Sequence, residues 1–173
     1  MEAQDKSGTT PLDGAAIQGP LVGVAAIVCR RGQMLMGRRC GSHGAETWAL
    51  SGGKLAAGET FVECAIRELF EETGMRAVGG KVVTVTNDVM AGEGLHFVTV
   101  FVEMNGVTGA AAVREPDRCR GWGWFSPHFL PSPLFAPLEG LVEGNPEVLE
   151  RCCFNSQPDF VWYPELDEAA VAV

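Results

Sequence analysis

The apolar positions fall into three successive rhythms. Residues 21–29 (LVGVAAIVC) are almost continuously apolar, the pattern of a strand covered on both faces. Arg30, Arg31 and Gly32 provide a turn, and residues 33–38 return as a hairpin partner. From residue 61 the period becomes helical: Val62, Ala65, Ile66, Leu69 and Thr73 share one stripe, with Glu63, Arg67, Glu68, Glu71 and Glu72 on the opposite arc. Thr60 followed by Glu63 forms a capping box that starts this helix at Phe61, and Gly74 sits where a left-handed cap stops it. Residues 81–89 and 96–103 then alternate and are β-rich, which predicts antiparallel strands joined by the glycine-rich turn MAGEGL. Trp122, Trp124 and Phe125 begin a further strand. A proline-rich turn leads into a second amphipathic helix over residues 135–142, with room for one more short helix after Asn145.

Composition narrows the setting. A chain of 173 residues suggests one domain with a real core. The expected layout is a flexible lead-in over residues 1–18, a folded domain over 19–156, and a C-terminal tail over 157–173 that packs as an extension or stays loose. The lead-in has no apolar core of a secretory signal, and no stretch reaches the length of a membrane span. The six cysteines include no CxxC pair and read as reduced thiols, so the expected location is cytoplasmic. A net charge of −9 argues against a general nucleic-acid binder. It leaves a small anionic substrate open, because a bound divalent cation inverts the local potential.

The candidate chemistry sits on the polar arc of the first helix. Glu68 and Glu72 are one turn apart, with Glu71 beside them. An acidic helix face is ordinarily just solvated. Crowded carboxylates are also what a hard cation such as Mg²⁺ takes as ligands, alongside waters and substrate phosphates. Gly52 and Gly53, just ahead, suggest close backbone approach to something. Arg38 and Arg39 are either strand-end surface residues or an arm for substrate phosphates. Asn87, His96 and Thr99 are polar groups on strands, and His43 lies in a polar loop where solvation is the plain reading.

From Gly53 to Met75 the residues match the pattern GX5EX7REUXEEXGU at every fixed position: Gly53, Glu59, Arg67, Glu68, Leu69, Glu71, Glu72, Gly74 and Met75. This resembles the Nudix box, and the chain is similar to MutT-type Nudix hydrolases. Further stretches (LMGRRCGS, TVTNDV, HFVTV, REPDRCRGWGWF, PLFAPLEGL) resemble the subgroup of the plant cytosolic Nudix hydrolases and the human nucleotide triphosphate diphosphatase, over about residues 20–143. The resemblance implies an α/β fold, an α/β/α sandwich with a mixed sheet. It implies a metal-dependent enzyme using Mg²⁺ or Mn²⁺, held by Glu68, Glu72 and Glu71 with a backbone carbonyl from Gly52 or Gly53. A late-loop glutamate, Glu115, is a candidate additional ligand. Catalysis is expected from Glu68, as base or as ligand, with Arg67 fixing its carboxylate and Glu71 beside them. Arg38, Asn87, His96, Thr99, Phe135 and Leu138 are the candidate substrate contacts.

The implied reaction is hydrolysis of a nucleoside triphosphate, an oxidised one such as 8-oxo-dGTP foremost, to the monophosphate and pyrophosphate, which sanitises the nucleotide pool. The alternatives are another diphosphate (geranyl diphosphate, NADH, a nucleotide sugar or a thiamine-type compound) and a catalytically silent binding module. The partner is a small nucleotide or diphosphate, with no nucleic acid and no membrane; the subgroup leaves a homodimer open. Two departures stand out: Ser51 occupies a position where many relatives carry Pro, and Ala136 one where relatives carry Trp.

Overall fold

The computed structural model describes residues 18–155 apart from residue 42, so the expected lead-in and tail lie outside the described residues. The long apolar run forms β1 (Gln18–Ile27). It does not pair along its length with the segment that follows. Only the short β2 (Cys29–Arg30) pairs with β3 (Gln33–Arg39). The expected hairpin forms around its turn at Arg31 and Gly32, but its extension along residues 21–27 is corrected by a change of sheet at residues 28–29: β1 takes its neighbours on both edges from later strands.

β1 pairs antiparallel with β5 (Ser51–Lys54) and parallel with β7 (Leu95–Asn105). β7 pairs antiparallel with β6 (Gly79–Met90). The result is a four-stranded mixed sheet in the order β5-β1-β7-β6. The second sheet gathers β2, β3 and β4 (Trp48–Ala49), with β8 (Cys119–Phe125) pairing with β3. Sequence reading gave the segment around β4 and β5 no strands; both are short and contain few β-formers, so only pairing makes them.

Alternation along the mixed sheet separates two cores. Val24, Val100 and Val102 face α1 (Phe61–Thr73) and pack with Cys64, Ala65, Leu69 and Met75. Phe101 faces the other way, with Ile27, Leu138 and Leu141 of α2 (Ala136–Gly144). Helices on both faces of a mixed sheet make the α/β architecture expected. α3 (Pro146–Glu150) and a π-helical turn (Arg151–Asn155) close the chain against β2. There Cys29 and Cys153 are joined by a disulfide across 124 residues, with Cα atoms 5.1 Å apart. This corrects the expectation of reduced thiols throughout: a pair so distant in sequence has no spacing signature, and packing of the last turn brings it together. Cys40, Cys64, Cys119 and Cys152 are free.

α1 is defined at both ends. The Thr60 hydroxyl accepts from the Glu63 amide at 3.2 Å, and the Glu63 carboxylate accepts from the Thr60 amide at 2.8 Å. Gly74, at φ 76°, ends the helix by donating to the Phe70 carbonyl at 2.9 Å. Leu69 is fully buried where α1 meets the sheet. Leu69→Ala is therefore expected to cost roughly 2–5 kcal/mol of unfolding free energy, read by chemical denaturation; a loss under about 1 kcal/mol contradicts the packing described.

Candidate active site

α1 carries its polar arc toward the loop that precedes it. Arg67 is the hub. Its Nε donates to Glu59 Oε1 at 2.6 Å and its Nη2 to Glu59 Oε2 at 3.0 Å, a two-pronged fork. Its Nη1 donates to Glu68 Oε1 at 2.7 Å and to Glu71 Oε2 at 3.1 Å. Nη2 also reaches the Lys54 carbonyl at 3.3 Å, tying the helix to the end of β5. Beside this guanidinium, and with the Ala56 amide donating to it, the Glu59 carboxyl is held at a pKa of about 2. The same carboxylates raise the pKa of Arg67 itself.

Glu68 lies against the backbone of Gly53, where any side chain would overlap its carboxylate. Glu72 is anchored by the Gly52 amide, which donates to its Oε2 at 3.1 Å. The paired glycines thus do what the sequence suggested: they admit two helix carboxylates onto the backbone of β5. Burial lifts the Glu72 pKa to about 7, Ser51 and the Gly52 amide pull it down, and the charges of Glu68 and Glu115 add to the rise.

Glu68 and Glu72 open into a cavity of about 740 Å³, the size of a nucleotide-scale pocket. Gly52, Gly53, Lys54 and Arg39 surround the carboxylate end. Gly23, Phe97, Thr99, Phe101, Trp122, Phe135 and Leu138 line the rest. His43 stands at the wall, with its Nδ1 2.7 Å from Glu93 Oε2.

The expected site residues separate clearly. Glu68, Glu72, Gly52, Gly53, Thr99, Phe135 and Leu138 come together around the cavity. Arg38 does not: it pairs with Glu46 at 3.0 Å, and its neighbour Arg39 faces the cavity instead, stacked on Phe135 at 4.3 Å. Successive strand residues point to opposite faces, so of the two arginines only one reaches inward. Asn87 and His96 bond each other, Oδ1 to Nε2, at 2.7 Å, outside the cavity. They lie on the sheet face opposite Thr99, by the same alternation. Glu71 is half exposed and turned toward Arg67, not into the cavity. Glu115 pairs with Arg118 at 3.8 Å, and Ala136 is outside the lining. Of the two arginines weighed as a phosphate arm it is Arg39 that lines the cavity, while Lys54, Phe97, Phe101 and Trp122 were missed; the alternation around Thr99 was the available signal for the two phenylalanines.

Residues 19–152 match the NUDIX domain. The chain belongs to the NUDIX family. A solved MutT Nudix hydrolase from Burkholderia pseudomallei is 31% identical with a TM-score of 0.68, covering 74% of this chain and all of that one. An RNA pyrophosphohydrolase of Shewanella sediminis is 39% identical over 36% of this chain and 36% of its own length. A provisionally assigned 8-oxo-dGTP diphosphatase of Bacillus subtilis is 31% identical over 49% of this chain and 53% of its own. The chain thus spans about a third and about half of these two curated relatives. Its Nudix fold is of the MutT type.

Nudix hydrolases generally use divalent metal ions, and the donor set fits one. Glu68 and Glu72 share the cavity wall and offer carboxylate oxygens, and Gly53 leaves no side chain in the way. As the side chains stand, no three acidic, His or Cys groups converge on a single point among the described residues, because Arg67 draws Glu59, Glu68 and Glu71 to itself. A cation there would be held by Glu68 and Glu72 with backbone carbonyl and solvent oxygens.

A raised Glu72 pKa sets a sign. Metal needs the carboxylate, so below pH 7 it must displace a proton. Mg²⁺ affinity by calorimetry is expected to rise between pH 6 and pH 8, by up to about tenfold per unit on the acid side; a flat profile contradicts Glu72 as a ligand.

Proposed function

We propose that this chain is a Mg²⁺-dependent pyrophosphohydrolase that cleaves a nucleoside triphosphate to the monophosphate and pyrophosphate, with 8-oxo-dGTP the foremost substrate. One observation carries the reading: a single cavity joins the Glu68–Glu72 pair to an aromatic chamber of nucleotide size that also offers the polar Thr99. The Bacillus subtilis relative supports the oxidised-nucleotide substrate. No described helix is long and apolar enough to cross a membrane.

Each residue's part follows from its chemistry. Bound Mg²⁺ or Mn²⁺ supplies charge neutralisation on the phosphate oxygens and lowers the pKa of the attacking water. Glu68 and Glu72 would hold it, and Arg67 fixes the Glu68 carboxylate from behind. Arg39 and Lys54, lining the same end, balance phosphate charge as water attacks phosphorus and pyrophosphate departs. Phe97, Phe101, Trp122 and Phe135 give the base apolar and stacking surface. The same aromatics favour a second reading, a prenyl diphosphate such as geranyl diphosphate, whose chain needs only an apolar slot.

Pyrophosphate release with Mg²⁺ across 8-oxo-dGTP, dGTP, ATP, ADP-ribose, NADH and geranyl diphosphate tests the reading. Nucleoside triphosphates, led by 8-oxo-dGTP, are expected to be cleaved fastest; preference for geranyl diphosphate or NADH would overturn the substrate while keeping the chemistry. Glu72→Gln is expected to lower kcat by about three orders of magnitude or more with the fold intact. Arg67→Lys keeps the charge but cannot span three carboxylates, and is expected to lower activity about 10–100-fold; near-wild-type turnover in either variant removes that residue from the mechanism.

A further inference from the structure

The cavity floor is the face of the mixed sheet that carries Gly23 on β1 with Phe97 and Thr99 on β7. Beside that floor, on the same face of the sheet, lies a carboxylate that did not stand out in the sequence. Asp88, on β6, is 7% exposed. Its Oδ2 accepts from the Thr99 hydroxyl at 2.5 Å and from the Thr86 hydroxyl at 2.9 Å. Among the described residues no cationic side chain pairs with it. Threonine carries a single hydroxyl proton, and here it is donated to Asp88 Oδ2. The Thr99 proton is therefore committed to Asp88, and what the hydroxyl has left for the cavity is lone pairs.

From this we infer that Asp88 sets Thr99 as an obligate hydrogen-bond acceptor in the pocket floor, selecting substrates whose organic group presents an N–H or NH₂ donor, as amino- and oxo-purine bases do. The inference rests on the nucleoside-triphosphate reading above and sharpens it. A prenyl chain has no donor and would leave the cavity-side lone pairs of this nearly buried hydroxyl unmet, while its proton stays on Asp88. A base edge presenting only acceptors meets the same lone pairs and is turned away. Space for the donor comes from Gly23: a Cβ there would stand 3.6 Å from Thr99 Oγ1 and 3.4 Å from Phe97 Cδ1. Those are ordinary contacts, so a methyl group fits and covers the hydroxyl without strain. Thr99 is the group that touches substrate, and Asp88 is a positioning residue acting through it.

The test compares kcat/KM for dGTP with that for the triphosphate of purine deoxyriboside, a base of the same ring skeleton with no N–H at all. Wild-type protein is expected to favour dGTP by about 10–100-fold. Thr99→Val should bring the ratio close to one chiefly by lowering dGTP turnover, with thermal unfolding confirming the fold. Gly23→Ala, which fits the existing contacts, should erode the same ratio and decides the matter if Thr99→Val does not fold. Asp88→Leu removes the acceptor that holds the Thr99 proton and should erode the preference with Thr99 still in place; an unchanged ratio in a folded Asp88→Leu protein overturns Asp88 as the positioning residue. A wild-type ratio near one, or a ratio unmoved in both Thr99→Val and Gly23→Ala, overturns the inference while triphosphate cleavage itself stands. If the wild type cleaves neither triphosphate, the proposed function fails and the inference falls with it.

Discussion

The guanidinium of Arg67 is the interaction on which the site depends. Glu59, Glu68 and Glu71 all place oxygens within 2.6–3.1 Å of it. Without a cation in their midst, those charges would repel one another across a few ångströms, an interaction worth kilocalories near a protein surface. With it, the loop after β5 is clamped to the second turn of α1, and Glu68 is steered onto the backbone of Gly53. Lysine, a point charge without the planar fork, lacks the geometry for the same task. Glu72, which Arg67 does not touch, is held from the other side by the Gly52 amide. The two carboxylates of the cavity therefore have different supports, one a side-chain cation and one a backbone donor.

The mixed sheet gives this cluster its context. One face of β1 and β7 is occupied by α1 and supplies the core that fixes the helix. The other face carries Gly23, Phe97, Thr99 and Phe101 into the cavity, with α2 covering it through Leu138. The helix that bears the carboxylates and the floor of the cavity are thus on opposite sides of one sheet, and β5, at its edge, joins them through Gly52 and Gly53. Small residues at that edge let the site wrap around the sheet instead of ending at it.

Local chemistry was legible in the sequence where it is locally determined. The capping box at Thr60 and Glu63, the stop at Gly74 and the spacing of Glu68 and Glu72 each depend on residues a turn apart, and the structure has the helix they describe. What depends on face and pairing was not legible. Arg38 and Arg39 differ by one residue, as do Asn87 and Asp88, and a one-residue step on a strand exchanges cavity for outer face. Choosing correctly requires knowing which neighbours cover each face, and β1's partners, β5 and β7, lie far along the chain. The Cys29–Cys153 bond is hidden for the same reason. Ser51 shows a smaller effect: its hydroxyl is buried beside Glu72 and pulls the pKa of that carboxylate down.

Two box carboxylates, Glu68 and Glu72, face the cavity, where we propose they hold the cation, while Glu71 serves Arg67 outside it. Mn²⁺ binding followed by electron paramagnetic resonance tests this directly in single variants at pH 8. Glu72→Gln and Glu68→Gln are expected to weaken Mn²⁺ binding by about tenfold or more, with Glu71→Gln within about threefold of wild type. Loss in Glu71→Gln equal to that in Glu72→Gln would contradict the arrangement.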